Sequence, residues 1–516
     1  MGDPGLLILF YYVFVRKKNN KSGVVSIQVI SKVNGKSKLV KTIGSSSRAD
    51  EIALLFEKGK QFISNLEGQF QIDFSNEKSI VKSVFNQITS HIEVGTQLLL
   101  EPIFEQIGFH KLKDDIFKNL VFSRLIYPSS KLKTSDYINR YKNIDLPVQQ
   151  IYRYLDKLHT SQKELIQQIS YEHTRKILNN EISVVFYDVT TIYFEIDDED
   201  DLRKTGFSKE GKHQNPQIVL GLLVSRDGYP LAYEIFEGNK FEGHTMLPVL
   251  EAFKLKYSLE RLIIIADSGL LSRSNIEELQ TKNYEFILGA RIKNETNTIK
   301  EKILALRLKN GQSALIKKGN LNLIITYSDN RAKKDSHNRE KGLRKLEKQI
   351  RIGHLTKSNI NNRGYNKYLK MDGEIKVTID KSKLKEDQAW DGLKGYITNT
   401  NLSKDEIIEN YQHLWQIEKA FRISKTDLKI RPIYHRLQRR IEAHICISFV
   451  AYKMYKEIER LLKSFKSEIS PEKAIEIAKT IYQIQSTTAD NQTIKHILLL
   501  TNEQKELASL FNFEFG

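Results

Sequence analysis

Between residues 181 and 290 the chain switches between two hydrophobic periodicities in an order that few architectures accept. "ISVVFYDVTTIYFE" is rich in β-branched and aromatic residues and reads as a strand. "PQIVLGLLVSRDGYPLAYEIFEG" reads as two strands turned at Asp227-Gly228, a pair suited to a tight hairpin. "TMLPVLEAFKLK" reads as a helix, and "RLIIIADSG" as a short apolar strand buried on both faces. "RSNIEELQTK" is a helix expected to open at Ser274, with Glu277 three residues on completing a capping box. "YEFILGA" is another buried strand. The order is β-β-β-α-β-α-β, an antiparallel meander continued by parallel strands.

That is the order of the ribonuclease H-like fold. The expected class is therefore α/β: a ribonuclease H-like core, interrupted by a β-containing insertion and preceded by a basic β-hairpin and a helical N-terminal region. Residues 1–46 hold an N-terminal extension and the hairpin, whose strands flank "SKVNGKS" with Asn34-Gly35 as a two-residue turn. Residues 47–180 show helical spacing and read as a DNA-binding region; "IFKNLVFSRLIYPSSKLKTSDYI" is a helix stopped at Pro128, a basic turn and a second helix. Residues 181–290 are the first part of the core. Residues 291–400 break the pattern with strands at "LNLIITYS" and "GEIKVTID" around the basic helix "RAKKDSHNREKGLRKLEKQIR". About a hundred residues is far beyond an ordinary loop, so this segment is expected to stand as a subdomain apart. Residues 401–455 carry a helix capped by Ser403 and Glu406 that runs on through Lys425 and ends the core, and 456–516 are helical.

Composition narrows the partner. The chain of 516 residues carries a formal charge of +18, which points to a polyanion, nucleic acid before an anionic membrane. Its one cysteine, Cys446, excludes an internal disulfide or a cysteine-cluster metal site and suits a reducing cytosol. "LLILFYYVFV", Leu6 to Val15, is too short to span a bilayer and lacks the flanks of a signal peptide. It reads as a buried strand or as an upstream extension of the reading frame.

Three carboxylates stand out. Asp188 lies near the end of the first core strand, and Asp267 ends "LIIIAD". A carboxylate after four apolar strand residues is costly unless it caps, pairs or binds metal. Local roles are open to both: a turn before Gly269 for Asp267, hydrogen bonding to Thr190 or Thr191 for Asp188. In "YQHLWQIEKAFRISK", Tyr411, Glu418 and Lys425 recur every seven residues and return to one helix face within about 20°. The stretch also fits a solvated stripe beside a core stripe of Leu414, Ile417 and Phe421. Together, two aspartates on neighbouring strands and a glutamate on a following helix form a set of hard oxygen donors suited to Mg²⁺ or Mn²⁺. Two such ions, about 3.5–4 Å apart, activate a water or 3′-hydroxyl for in-line displacement at phosphorus.

With those residues in view, the chain resembles the DDE transposases of bacterial insertion sequences, in the branch with a Tyr-(2)-Arg-(3)-Glu-(6)-Lys signature. "FYDVTT", "IADSGL", the intervening "NPQIVLGLLVSRDGYPLAYEIFEGN" and the spacing of Tyr411, Glu418 and Lys425 carry the resemblance, over roughly residues 14–450. Leu414 occupies the signature's arginine position, with Arg422, one turn beyond Glu418, as a candidate substitute. The resemblance implies that Asp188, Asp267 and Glu418 are catalytic and hold two Mg²⁺ or Mn²⁺ ions. It implies that Tyr411 and Lys425 touch phosphates near a transposon end, and that an insertion falls between the second aspartate and the glutamate. It implies inverted-repeat and target DNA as partners, a homodimer in the synaptic complex, and a bacterial, cytoplasmic, nucleoid-associated setting. Lys333, Lys334, Arg344, Lys345 and Lys348 in the basic run are either a solvated face or phosphate contacts. Arg436, Arg439 and Arg440 are candidates to continue that surface. Trp415 is expected in the core, and His244 and His413 are expected to be structural. Two other readings stay open: another ribonuclease H-like nuclease such as a resolvase, and a DNA-binding protein that has lost its chemistry.

Overall fold

The computed structural model describes residues 12–33, 35–66, 85, 87–180, 182–208, 211–259, 261–270, 272–361, 364–372, 376–487 and 492–513. They fall into two units, Met1–Thr89 with Ser486–Thr493, and Ser90–Gln485 with Ile494–Gly516. Most of the apolar N-terminal run lies outside the described residues.

In the first unit, β1 (Tyr12–Asn19), β2 (Val25–Val33) and β3 (Lys36–Ser46) form an antiparallel sheet on which α1 (Ala49–Leu66) packs. Val33 pairs with Lys36, so the connection is the two-residue turn expected. Gly35 has φ 80°, a value glycine accepts without strain; Asn34 lies outside the described residues. Ile27 and Val29 are buried, whereas Arg16, Lys17, Lys18, Lys21, Lys32, Lys36, Lys38 and Lys41 are all exposed.

The second unit begins with helices α2 (Gly95–Ile107), α3 (Asp115–Ile126), α4 (Lys131–Lys142), α5 (Val148–Ser161) and α6 (Lys163–Ile177). A mixed sheet of eight strands follows: β4 (Val184–Tyr193), β5 (Gln217–Ser225), β6 (Pro230–Glu237), β7 (Ile263–Ala266), β8 (Glu285–Ala290), β9 (Ser313–Lys318), β10 (Leu321–Tyr327) and β11 (Leu393–Thr398). Their spatial order is β9-β10-β11-β8-β7-β4-β5-β6. β4, β5 and β6 form the antiparallel meander, and β7 and β8 run parallel to β4, as the sequence order predicts.

Side chains alternate across this sheet. From β4, Val185, Tyr187 and Val189 pack on one face with residues of α7 (Met246–Tyr257) and α8 (Arg273–Thr281). Phe186 and Ile192 join the core of the opposite face, which is covered by α10 (Lys404–Gln412), α11 (Trp415–Thr426) and α12 (Gln438–Ser464). α12 is buried over most of its length, carries Cys446 and the charged Lys453 and Glu457 into the interior, and packs against α2, α3, α5 and α6. Among the described residues no helix is long and apolar enough to cross a membrane.

Four readings need correction. Residues 456–516, expected to be helical, also contain two strands, Tyr482–Thr487 and Thr493–Leu498. The segment 291–400 does not stand wholly apart, because β9, β10 and β11 continue the sheet from the edge of β8. An open sheet edge presents unpaired N–H and C=O groups, and the insertion's own strands satisfy them. Outside the sheet stand α9 (Asp329–Ile352), a hairpin of Leu369–Asp372 with Lys376–Ile379, and two short helices, Asn297–Ala305 and Lys381–Gln388. α9 is tied down by Arg339, whose two terminal nitrogens each lie 2.5 Å from a carboxylate oxygen of Asp391. Next, α8 is capped by Ser272, whose hydroxyl accepts from the Asn275 amide 3.0 Å away; Ser274 lies inside the helix and Glu277 pairs with Arg273. Finally, the helix that begins with the Ser403–Glu406 capping box does not run unbroken to Lys425. It tightens at His413–Leu414 and divides into α10 and α11.

Candidate active site

Asp188 is in the middle of β4 rather than near its end, and the strand continues to Tyr193. Tyr187 pairs with Ala266 in the parallel β4–β7 ladder, so Asp188 in β4 and Asp267, one residue past the end of β7, each follow directly on that last pair. Strands lie about 4.8 Å apart, which makes the two backbones immediate neighbours. By alternation both aspartates belong to the sheet face covered by α10 and α11. Asp188 is partly buried and Asp267 exposed. Each turns one oxygen to its own chain: Asp188 Oδ1 accepts from the Val189 amide at 2.8 Å, and Asp267 Oδ1 from the Ser268 amide at 2.6 Å.

The tightened turn decides where the helix side chains go. Leu414 N donates to Tyr411 O at 3.0 Å and Ile417 N to Leu414 O at 3.2 Å, a spacing of three rather than four. Each residue wound this way rotates about 20° further than in an α-helix. From Tyr411 to Ala420 the buried residues are then those three apart, Tyr411, Leu414, Ile417 and Ala420, and Glu418 lies outside their stripe. Tyr411 is 4% exposed and faces the sheet, whereas Glu418 is exposed and Lys425 half-buried. Leu414, Ile417, Ala420 and Phe421 join the core, so the position where the signature has arginine carries an apolar anchor.

Around Tyr411 the structure gathers groups that the sequence reading missed. Its ring lies 4.7 Å from that of Tyr396 on β11, and the Lys394 ammonium sits 4.5 Å from its centroid. Burial, with Arg331 adding to it, pulls the Lys394 ammonium below its usual range, while Asp267 and Glu418 pull it back. Burial pushes the Tyr411 phenol up, and Asp267, Tyr396 and Glu418 push it further. Asp267 and Glu418 thus act electrostatically on the same lysine and the same tyrosine. Glu242 adds another carboxylate: a methyl group on Gly269 would lie 4.0 Å from both Glu242 Oε2 and Asp267 Oδ2. Among the described residues, however, no three His, Cys, Asp or Glu side chains are gathered closely enough to hold a metal ion. The expected convergence of Asp188, Asp267 and Glu418 is not closed, with both aspartates hydrogen-bonded to their own backbone.

Gly289 on β8 admits the Tyr411 hydroxyl; a methyl group there would overlap it and crowd Ser268. An isolated glycine in "EFILGA" is the signal that could have shown this, since glycine inside a strand marks a close approach. Gly289→Ala is expected to destabilise the protein by about 1–3 kcal/mol through overpacking. Tyr411→Phe should recover part of that loss. Thermal unfolding of the two single variants and the double variant checks it, and strict additivity would exclude the contact.

The remaining candidates are scattered. Lys333, Lys334, Arg344, Lys345 and Lys348 are exposed on α9, away from its buried Arg339, Gly342 and Leu346. Arg422 is exposed. Trp415, expected in the core, is half exposed beside Lys419. His413 lies 3.5 Å from the Arg226 guanidinium, and His244 is exposed beside Phe241. Arg436 is exposed, but Arg439 and Arg440 both bind Asp156 at 2.8 Å and so tie α12 to α5. Those hydrogen bonds, Arg440 first, hold the Asp156 carboxyl down to about 2.

The family model for the transposase DDE domain matches residues 179–454, more than half of the chain. Comparison with curated proteins gives no match. Among solved structures, a piggyBac transposase synaptic complex with hairpin DNA is similar over 70% of this chain and 69% of that one, at 9% identity and a TM-score of 0.37. A Mos1 transposase paired-end complex with the left transposon end is similar over 31% of this chain and 53% of that one, at 12% identity and a TM-score of 0.16. A Mos1 mariner paired-end complex with Mn is similar over 31% and 54%, at 14% identity and a TM-score of 0.15.

Proposed function

The chain belongs to the transposase DDE-domain family, and from that premise we propose that it binds the terminal inverted repeats of an insertion sequence and catalyses metal-dependent strand cleavage and strand transfer. The class of activity is polynucleotidyl transfer. The observation that supports this reading most is that Asp188 and Asp267 each follow directly on the last pair, Tyr187 with Ala266, of two parallel strands, on the sheet face that the helix carrying Glu418 helps to cover.

In kind the donor set suits a hard divalent ion, being carboxylate oxygens from β4, from the residue after β7 and from α11, although the three are not gathered around one point in this structure. Asp188, Asp267 and Glu418 would hold it. Bound Mg²⁺ or Mn²⁺, as a pair, supplies Lewis-acid stabilisation of the oxygens entering and leaving phosphorus. The chain's own residues do the rest. The β4–β7 ladder fixes the two aspartate backbones. Packing of Ile417, Ala420 and Phe421 holds α11 on the sheet and leaves Glu418 on its solvent side. Lys394 places a cation beside the carboxylates, where the charge of a phosphodiester accumulates. In this reading Lys425, Arg422 and the cations of α9 hold the DNA backbone, and two copies of the chain pair two ends in the bacterial cytoplasm. Tyr411, being buried, serves as a positioning residue beneath the site.

The test uses the DNA that flanks the gene, where a pair of inverted repeats is expected. A duplex carrying one repeat, a target plasmid and the purified chain should yield joined products with Mg²⁺ or Mn²⁺ and none with EDTA, activity returning when the ion is restored. Cutting without joining would assign the chain to a nuclease that does not rejoin strands.

A further inference from the structure

A second pocket, of about 480 Å³, lies among α3, α4, α5, α12 and the segment that leaves α11. Its charged lining is all of one sign: Arg124, Lys131, Lys133, Lys429 and Arg431, with no Asp or Glu among the described residues lining it. Two of these cations are deeply buried, Arg124 at 4% and Lys131 at 5% exposure. Lys131 makes no hydrogen bond or ion pair among the described residues. The partners of Arg124 are neutral: the carbonyls of Leu428 and Lys429 at 3.4 and 3.2 Å, and His444 Nδ1 at 3.3 Å. His444 Nε2 donates to the Ile430 carbonyl at 2.9 Å, which leaves Nδ1 as the acceptor and the ring uncharged. His435, 9% exposed, is held neutral to about 4 by burial first and by Lys131, Arg440 and Arg124 next. Asp156, which also faces His435, is taken up by Arg439 and Arg440.

Buried charge without a counter-charge is costly: burial first, and Arg124 next, pull the Lys131 ammonium well below its usual range, which an anion in the pocket would reverse. The pocket also contains the amino end of α4, a twelve-residue helix that starts at Lys131 and carries partial positive charge there. The volume exceeds what one small anion fills and falls in the range of pockets for larger ligands. Tyr152 and Tyr434 complete the wall where an attached sugar would lie. The wall also joins the elements that carry the carboxylates. Lys429 and Arg431 follow the helix of Glu418, and the Arg431 guanidinium lies 5.7 Å from the ring of Tyr193, the last residue of the strand of Asp188.

We propose that this pocket is a phosphate site, and that the phosphate it takes belongs to the backbone of a DNA strand leading to the carboxylates. The second half of the statement rests on the proposed function; the first half does not.

Thermal unfolding of the full chain in potassium phosphate and in potassium chloride, at equal ionic strength, reads the first half. Phosphate should raise the midpoint by several degrees. Lys131→Met should unfold at a higher temperature than the parent in chloride, because it removes a buried amine whose charged form no counter-charge supports, and should lose the phosphate increment. Binding of a labelled duplex across a salt series reads the second half. Lys131→Met, and independently Lys429→Gln at the exposed rim, should each flatten the plot of log affinity against log salt by about 0.9. Loss of the increment with an unchanged slope would overturn the DNA assignment in favour of a free phosphate compound. No increment in the parent, or an increment kept by both variants, would overturn the site. Strand cleavage by the parent stays the separate measure of the proposed function.

Discussion

Asp188→Asn is expected to lower strand cleavage by about a thousandfold, ~4 kcal/mol of transition-state stabilisation, and to leave DNA affinity nearly unchanged. Asparagine has the same shape and keeps an oxygen to accept from the Val189 amide, so β4 and its buried neighbours Phe186 and Ile192 lose no packing. What disappears is a negative charge on the face shared with Asp267. DNA affinity comes mainly from lysine and arginine contacts to phosphate, which the change does not touch. A gel shift run beside a cleavage reaction in Mg²⁺ separates the two quantities. Full cleavage by the variant would remove Asp188 from the chemistry; lost binding would mean a fault in folding.

Replacing Lys333, Lys334, Arg344, Lys345 and Lys348 together with alanine is expected to reduce the salt dependence of DNA binding by about 4.5 units of slope, at roughly 0.9 per phosphate contact. All five are exposed, and the one ion pair among them, Arg344 with Glu340 at 3.7 Å, is a surface pair worth little. Alanine favours helix, so α9 keeps its form. The Arg339–Asp391 clamp and the buried Leu346 hold it in place as before. The measurement is affinity for a labelled duplex between low and moderate salt. An unchanged slope would leave these residues as a solvated face.

Much of the core was legible because its signals are local. The alternation in "ISVVFYDVTTIYFE" assigns Asp188 to the face of Phe186 and Ile192, and the apolar run "LIIIAD" delivers Asp267 to a strand end. Ser403 and Glu406 form the capping box that their spacing predicts. The parts that were not legible depend on distant partners. Nothing in "LNLIITYS" tells whether it pairs within the insertion or across to the core, because strand pairing is chosen by whichever edge is open. The tight turn at His413–Leu414 looks like continuous helix in sequence, yet it separates Tyr411 from Glu418. Lys394 and Tyr396 alternate with Gly395 and Ile397 as any strand might, and only pairing of β11 with β8 brings them to Tyr411. Arg124 and His444 lie 3.3 Å apart with about three hundred residues between them, beyond any window of pattern.

The pairing of β8 with β11 has a bearing on how the protein comes into being on the ribosome. Gly395 pairs with Ala290 across roughly a hundred intervening residues, and contacts so far apart in sequence form late because the closing loop costs entropy first. Synthesis delivers Asp188 and Asp267 early. Lys394 and Tyr396 emerge only with β11, and Tyr411 and Glu418 only after it. A nascent chain that has reached Ala290 therefore carries both aspartates and none of the groups that cover them. The surface that carries the candidate site is therefore assembled last, by the stretch of message read latest among those that form it, and a partly made polypeptide holds the two aspartates without it.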